Sequence, residues 1–255
     1  MQVKGRRVPD IIVGGAPRSG TTLSCEILAQ HPDIFVLKPF IPEPKVCLLD
    51  LGSEDTAYLD HYASLFASAP ADACCIEKTS NYWENDHTRE RLARILPETR
   101  FIFILREPIA RAYSNWRWST QNGLETLPFE EAFDRSDRPS PLPPRQRHAR
   151  PFDYLPRSEY GRLASEWIAA VGPNRLRFYL FEQVTADLGA WGDDLFAYAG
   201  VRNLPGGIAD VGMINAAVDQ SPIDRNLEHE LRARIRPEVL RFAELTGADI
   251  SCWGY

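Results

Sequence analysis

The sequence lacks several features that would point to particular classes of protein. No apolar run is long enough to cross a membrane, and the basic N-terminal segment leads only into a short apolar stretch. The formal net charge of -6 argues against a general nucleic-acid binder, whose phosphate contacts need a basic surface. The five cysteines, with Cys74 and Cys75 adjacent, have no metal-ligand spacing and fit reduced thiols. We therefore expect a cytoplasmic protein without a membrane span or a nucleic-acid partner.

Short apolar runs alternate along the chain with amphipathic segments. The runs DIIVG, IFVL, ACCI, RFIFIL and RLRFYLF are typical of buried strands. Such alternation indicates a parallel sheet flanked by helices. With 44% hydrophobic residues and no internal repeat or linker, the sequence predicts one α/β domain over residues 1–255, built on a P-loop-type parallel sheet.

Two helices and one loop are predicted in the second half of the chain. Residues 157–171 and 223–235 repeat apolar side chains at helical spacing. Residues 134–151 are rich in proline and arginine, so we expect a long surface loop there. We favour a solvated connection for this loop over a lid that binds an acceptor.

The stretch IIVGGAPRSGTT over residues 11–22 resembles a phosphate-binding loop between a strand and a helix. Against the pattern G-x-x-x-x-G-K-[ST], Gly15, Gly20 and Thr22 fit. Thr21 stands where the lysine is expected, and the positive charge is at Arg18 instead. The candidate phosphate-binding residues are Gly15, Ala16, Pro17, Arg18, Ser19, Gly20, Thr21 and Thr22.

This loop leaves a P-loop nucleotide kinase or triphosphatase open as an alternative. Such an enzyme needs a carboxylate at the end of a neighbouring strand to help hold magnesium, and Glu77 is the acid at the end of such a strand. A ligand that carries its own phosphates without needing a metal suits the loop better. A glycine and hydroxyl turn with a purely structural role is the remaining interpretation.

The segment LREPIARAYSNW over residues 105–116 supplies a second cluster. It puts Arg106 at the end of a strand and Ser114 about two turns into a helix that begins near Pro108. A guanidinium fork and a hydroxyl can together hold a second phosphate group. The alternative is an Arg106 that forms a salt bridge with Glu107 or another acid, with Ser114 exposed.

The two clusters together resemble the sulfotransferases that use 3′-phosphoadenosine 5′-phosphosulfate (PAPS), and the tyrosylprotein and carbohydrate branches in particular. The resemblance continues in HPDI, PEPK, EKTSNYW, FEQV and LTGADISCW, and so covers nearly the whole chain. It implies that the glycine loop holds the 5′-phosphosulfate of PAPS and that Arg106 and Ser114 hold the 3′-phosphate. It also implies adenosine 3′,5′-bisphosphate (PAP) as the product, and no metal.

The resemblance further implies three catalytic residues. Glu43, in PEPK, corresponds to the glutamate that takes the proton from the acceptor. Lys78, in EKTSNYW, corresponds to a lysine that can stabilise either the sulfuryl oxygens or the acceptor. Arg18 faces the bridging oxygen of the donor. A surface role for Glu43, and an ion pair of Lys78 with its neighbour Glu77, are the structural alternatives. His31 and His61 are less favoured candidates for the base.

Two departures from the family limit what the resemblance implies. Residues 211–222 contain no basic side chain where several members supply a third anchor for the 3′-phosphate, and the membrane anchor of the Golgi members is lacking, which suggests a bacterial-style enzyme. The acceptor stays open: a sugar, a glycolipid, a secondary metabolite or a peptide tyrosine, sulfated on oxygen or nitrogen. A nucleotide-binding protein that has lost activity is a further alternative. The oligomeric state is not predicted.

Overall fold

The computed structural model describes residues 1–139, 142, 151–212 and 222–255. Most of the predicted loop over 134–151 lies outside the described residues. So does most of segment 211–222, in which the lack of a basic side chain leaves a third phosphate anchor open.

Five parallel strands form the central sheet, and a small antiparallel hairpin precedes them. The strands are β1 (Gln2–Val3) and β2 (Arg6–Arg7) in the hairpin, and β3 (Ile11–Gly15), β4 (Ile34–Val36), β5 (Cys74–Lys78), β6 (Arg100–Leu105) and β7 (Leu176–Leu180) in the sheet. The order across the sheet is β4-β5-β3-β6-β7. Each of these five strands lies within or overlaps one of the apolar runs identified in the sequence, so the predicted parallel α/β fold is confirmed.

Helices cover both faces of this sheet. They are α1 (Thr21–Leu28), α2 (Asp55–Leu65), α3 (Asp86–Ile95), α4 (Pro108–Gln121), α5 (Phe129–Ala132), α6 (Tyr160–Val171), α7 (Phe181–Ala186), α8 (Leu188–Ala199) and α9 (Arg225–Thr246). Among the described residues, none of the helices is both long enough and apolar enough to span a membrane.

The central strands are apolar on both sides, because neighbouring residues of a strand point to opposite faces. Ile12 and Phe103 belong to the larger core, which includes side chains of α2, α3, α4, α6 and α9. Ile11, Val13 and Ile104 belong to a second core with α1 and α8. In the part of the chain that the structure describes, the sheet is therefore buried between two layers of helices, which leaves its edges accessible to ligands.

Two predicted helices have different ends in the structure. The helix predicted over 157–171 begins three residues later as α6, because Pro156–Ser158 form a separate 3-10 turn. The helix predicted over 223–235 is α9, which begins two residues later and continues through Pro237 to the end of its range. It continues because its later turns bury apolar side chains such as Phe242 against the larger core.

The carboxyl ends of β5, β3 and β6 lie side by side, since β3 is the middle strand of the three. Val13 pairs with Lys78 of β5, and Gly15 pairs with Phe103 of β6. In open α/β sheets, ligands bind beyond the carboxyl ends of the strands, where the strand order reverses. Gly15, Lys78 and Arg106 therefore share the edge at which this fold places its ligands.

Candidate active site

The loop after β3 is packed so closely that two of its positions exclude a side chain. A Cβ added to Gly15 would lie 2.4 Å from the Cβ of Trp83 and 3.0 Å from the carbonyl oxygen of Ser80. One added to Gly20 would lie 2.7 Å from the ring of Phe181, and the φ of 89° at Gly20 also favours glycine. The two glycines of the predicted phosphate loop are thus required by packing.

The start of α1 offers hydrogen-bond donors to an anion. Within the described part of the chain, no side chain caps this helix, so N–H groups of its first turn are open to a ligand. The Oγ of Ser19 is buried and has no hydrogen-bond partner among the described residues. Because buried hydroxyl groups are normally hydrogen-bonded, this orphaned atom fits a loop that closes around a bound phosphate.

Arg18 joins the two phosphate-binding clusters that the sequence predicts. Its Nε donates to the Oγ of Ser114 on α4, at 3.3 Å. Its φ of 69° is a left-handed conformation that residues other than glycine rarely adopt. Burial lowers the pKa of Arg18, and the nearby charge of Arg106 lowers it further. Two guanidinium groups that repel each other at a ligand-binding edge favour an anion between them.

Arg106 lies against an aromatic ring instead of a carboxylate. Its guanidinium is 5.4 Å from the ring centroid of Phe181, and it forms no ion pair with the residues that the structure describes. The alternative of a salt bridge between Arg106 and Glu107 is wrong. The Glu107 carboxylate instead accepts from the N–H of Ala110 at 2.6 Å, at the start of α4, and from Arg232 at 3.0 Å.

The motifs FEQV and LTGADISCW, which were given no role in the sequence analysis, contribute contacts that hold the end of β6. Glu182 accepts the backbone N–H of Glu107 at 3.0 Å with one oxygen and the indole N–H of Trp253 at 2.7 Å with the other. The hydroxyl of Tyr160 donates to the carbonyl oxygen of Arg106 at 2.7 Å. The signal for these contacts was present in the sequence, since both motifs belong to the family resemblance.

Glu43 and Lys78 form a buried ion pair. The Nζ of Lys78 lies 2.9 Å from Oε1 of Glu43, and the two side chains are 4% and 11% exposed. The same carboxylate oxygen accepts from the Oγ of Ser80 at 2.8 Å and from its N–H at 3.2 Å. Lys78 also donates to the carbonyl oxygen of Phe40, at 3.2 Å. The alternative ion pair of Lys78 with Glu77 is wrong, because adjacent strand residues point to opposite faces and Lys78 pairs with Glu43.

Glu77 is fully buried and surrounded by hydroxyl groups. Its Oε1 accepts from Thr79 at 2.7 Å and from Tyr82 at 2.8 Å, and its Oε2 accepts from Tyr62 at 2.7 Å. Burial raises the pKa of Glu77 from its ordinary 4.5 to about 6, although these hydrogen bonds oppose the shift. A carboxylate with three donors is poorly placed to hold the magnesium ion that a nucleotide triphosphatase needs.

A buried polar network lies behind Ser114 and adds positive charge. Arg157 pairs with Glu84 at 2.9 Å and donates to Asn115 at 2.9 Å. Arg111 donates to the same Asn115 oxygen at 3.4 Å and to Ser158 at 2.8 Å, and burial lowers the pKa of Arg111 to about 10. With two guanidinium groups and one carboxylate, this network favours negative charge nearby.

The two histidines that were candidates for a base lie in different surroundings. His31 is buried: its Nε2 lies 2.8 Å from the carbonyl oxygen of Arg202, and its Nδ1 accepts the N–H of Asp33 at 3.1 Å. Both nitrogens are therefore used in structural contacts. His61 lies on α2, and among the contacts of the described residues none joins its side chain to a candidate site residue.

Comparison with curated proteins identifies sulfotransferases over part of the chain. Human heparan sulfate glucosamine 3-O-sulfotransferase 6 is 29% identical over 118 residues, which are 44% of this chain and 30% of that protein. Human bifunctional heparan sulfate N-deacetylase/N-sulfotransferase 3 is 24% identical over 201 residues, 76% of this chain and 22% of that protein. The chain spans less than a third of the length of these relatives. No family model matches it.

Solved sulfotransferase structures share the fold. A sulfotransferase from Alicyclobacillus acidocaldarius aligns with a TM-score of 0.76 at 22% identity, covering 98% of this chain and all of that one. A sulfotransferase domain of the Synechococcus PCC 7002 olefin synthase aligns with a TM-score of 0.55 at 16% identity, covering 98% of each chain. The predicted resemblance to sulfotransferases is thus confirmed by relatives in sequence and by the fold.

The raised pKa of Glu77 predicts a pH-dependent stability. Between 4.5 and about 6 the folded state binds more protons at Glu77 than the unfolded state, so acidification through this window favours the folded state. Glu77→Gln removes that titration. On lowering the pH from about 7.5 to about 4.5, we expect the wild type to gain about 1.5 kcal/mol in unfolding free energy relative to Glu77→Gln.

Urea denaturation of both proteins at the two pH values measures this difference. Glu54→Gln is the matched control, because Glu54 is exposed and should leave the pH dependence of the wild type unchanged. A difference between the wild type and Glu77→Gln that stays constant with pH would contradict the raised pKa.

Proposed function

We propose that the protein is a PAPS-dependent sulfotransferase, which transfers a sulfuryl group to a hydroxyl or amine of an acceptor. One observation carries the proposal: an ion-paired carboxylate and ammonium, Glu43 and Lys78, lie at the same edge of the sheet as the glycine loop and the Arg18–Arg106 pair. A base and a cationic phosphate site are the two elements that sulfuryl transfer needs. The relatives and the shared fold support the proposal.

The cationic part of the site fits the two anionic ends of PAPS. The glycine loop, the N-terminus of α1 and Ser19 would hold the 5′-phosphosulfate, and Arg106 with Ser114 would hold the 3′-phosphate. Arg18 contacts Ser114 and approaches Arg106, so its charge serves both ends. When bound, PAPS supplies an activated sulfuryl group on a phosphate leaving group.

Glu43 and Lys78 would act together on the acceptor. Glu43 accepts the proton of the attacking hydroxyl or amine. Before that step its charge is balanced by Lys78 at 2.9 Å. Protonation neutralises the carboxylate and leaves the Lys78 ammonium free to stabilise negative charge on nearby oxygens. The pair therefore couples proton removal to charge stabilisation.

The other interpretations have less support. The kinase or triphosphatase alternative is not favoured by the relatives, and its magnesium ligand, Glu77, already accepts three hydrogen bonds. A nucleotide-binding protein without activity would not need the buried pair of Glu43 and Lys78, which is unfavourable unless the two charges match. Both observations favour an active transferase.

The acceptor class is proposed from the relatives. Two of them are named for the sulfation of heparan sulfate, so a glycan or a small molecule with a hydroxyl or amine is the favoured acceptor. A glycolipid, a secondary metabolite and a peptide tyrosine are further candidates. We propose the cytoplasm as its location, on the free thiols of its five cysteines. Labelled PAPS with a panel of glucosamine oligosaccharides, simple phenols and tyrosine peptides tests the function.

Nucleotide binding distinguishes the proposed function from a kinase. We expect the protein to bind PAP more tightly than ATP in the absence of magnesium, because Arg106 and Ser114 add a phosphate-binding cluster to the glycine loop. Isothermal calorimetry with each nucleotide, with and without magnesium, measures this preference. Tighter binding of ATP that appears only with magnesium would reject the sulfotransferase.

Arg106→Ala should weaken PAP binding through the loss of one charge-assisted hydrogen bond, worth roughly 1.5 to 3 kcal/mol. The preference of the variant for PAPS over adenosine 5′-phosphosulfate should also fall, because these two nucleotides differ in the 3′-phosphate that Arg106 would bind. Competition binding of the two nucleotides measures this preference. Arg94→Ala is the control, because Arg94 pairs with Asp55 on the surface. An unchanged preference in Arg106→Ala would mean that Arg106 has a structural role.

Glu43→Gln should keep PAP affinity and lower kcat by about a hundredfold or more, since the amide keeps the size and loses the basicity. Lys78→Ala should also lower kcat, and raising the pH should not restore it, because a charge is lost rather than a proton acceptor. Steady-state kinetics with the best panel acceptor, beside PAP calorimetry, measures both effects. Glu54→Gln is the control, and a near-normal kcat in Glu43→Gln would exclude Glu43 as the base.

A further inference from the structure

The segment that carries Glu43 has few backbone contacts of its own. Residues 38–48, here called the Glu43 loop, follow β4 and include a 3-10 turn at Val46–Leu48. Lys45 has a φ of 56°, in the left-handed region that is unfavourable for residues other than glycine. Such a conformation persists only where its surroundings hold it in place.

Two side-chain hydroxyl groups hold this loop by its backbone. The N–H of Lys45 donates to the Oγ1 of Thr79 at 3.1 Å, and the N–H of Cys47 donates to the hydroxyl of Tyr82 at 3.1 Å. The first contact is made by the strained residue itself, and the second by Cys47, two positions later. The path of the Glu43 loop therefore depends on where these two hydroxyl groups point.

A single carboxylate determines that direction. Thr79 and Tyr82 each donate their only hydroxyl hydrogen to Oε1 of Glu77, at 2.7 and 2.8 Å. Their lone pairs are then left to accept the N–H groups of the Glu43 loop. Glu77 itself is fixed in the sheet, since it pairs with Ile12 of β3.

We propose that Glu77 is a positioning residue for sulfuryl transfer, which holds Glu43 against Lys78 through the relays Glu77–Thr79–Lys45 and Glu77–Tyr82–Cys47. This rests on the proposed function, in which Glu43 is the base. Strand β5 then contributes to the site on both faces: Lys78 binds the carboxylate of Glu43, and its neighbour Glu77 anchors the loop that carries it.

Thr79→Val tests the first relay, because valine keeps the shape of threonine and removes the hydroxyl. Thr79→Ser keeps the hydroxyl and is the matched control. In Thr79→Val we expect the Lys45 amide to exchange with deuterium at least about tenfold faster, with Thr79→Ser close to the wild type. We also expect kcat with the best panel acceptor to fall by about tenfold or more at unchanged PAP affinity, since misplacing a base by about 1 Å slows transfer strongly.

Glu77 itself is tested by two substitutions. Glu77→Gln can keep a carbonyl oxygen at the position of Oε1, so it should retain protection of the Lys45 and Cys47 amides. Glu77→Leu removes both acceptors and should lose protection at both amides together. Equal loss in Glu77→Gln and Glu77→Leu would overturn the assignment of the relays to a hydrogen-bond acceptor.

A double mutant separates positioning from general destabilisation. In a Glu43→Gln background, Thr79→Val should lower kcat little further, because the group that the relay positions is already inactive. A full additional loss there would overturn the positioning role, and so would unchanged Lys45 exchange in Thr79→Val. If the wild type neither binds PAP nor sulfates any panel member, the proposed function fails and the catalytic role of Glu77 fails with it. Amide exchange still decides whether the relays hold the loop.

Discussion

The buried ion pair between Glu43 and Lys78 is the interaction on which the candidate active site depends. Either charge alone would be strongly destabilising at this depth, so the loop that carries Glu43 must reach the end of β5 for both to be accommodated. Lys78 has little freedom, because its strand is held in register with Val13 of β3. The position of the carboxylate is therefore determined by the sheet, although it lies on a loop with little secondary structure.

In the cationic half of the site, by contrast, charges of the same sign lie close together. Arg18 and Arg106 repel each other, and the network that joins Arg111 of α4 to Arg157 through Asn115 adds further positive charge. This arrangement raises the free energy of the ligand-free protein and is relieved when negative charge binds. Separated anionic groups relieve it better than one compact group, because the cations are spread from the glycine loop to the end of β6.

The sequence predicted what depends on local pattern and did not predict what depends on the direction of side chains. The strands and the glycine loop follow from apolar runs and glycine spacing, which are local properties. The sequence left open an ion pair of Lys78 with its neighbour Glu77, whereas alternation along β5 turns the two apart. The contact of Arg18 with Ser114 joins residues that are 96 positions apart, and no periodicity encodes it.

Phe181 accounts for the spacing between the two clusters that we propose to bind phosphate. A Cβ on Gly20 would lie 2.7 Å from the ring of Phe181, and the guanidinium of Arg106 packs over the same ring at 5.4 Å. Its neighbour Glu182 binds the backbone N–H that follows Arg106. Because an aromatic ring is rigid, the glycine loop and Arg106 are kept at a set separation before any ligand binds, which lowers the entropy lost on binding.

Glycine loops are common to many phosphate-binding proteins. Selectivity for a nucleotide with two separated phosphates is therefore expected to depend on the start of α7, where Phe181 and Glu182 lie directly after β7.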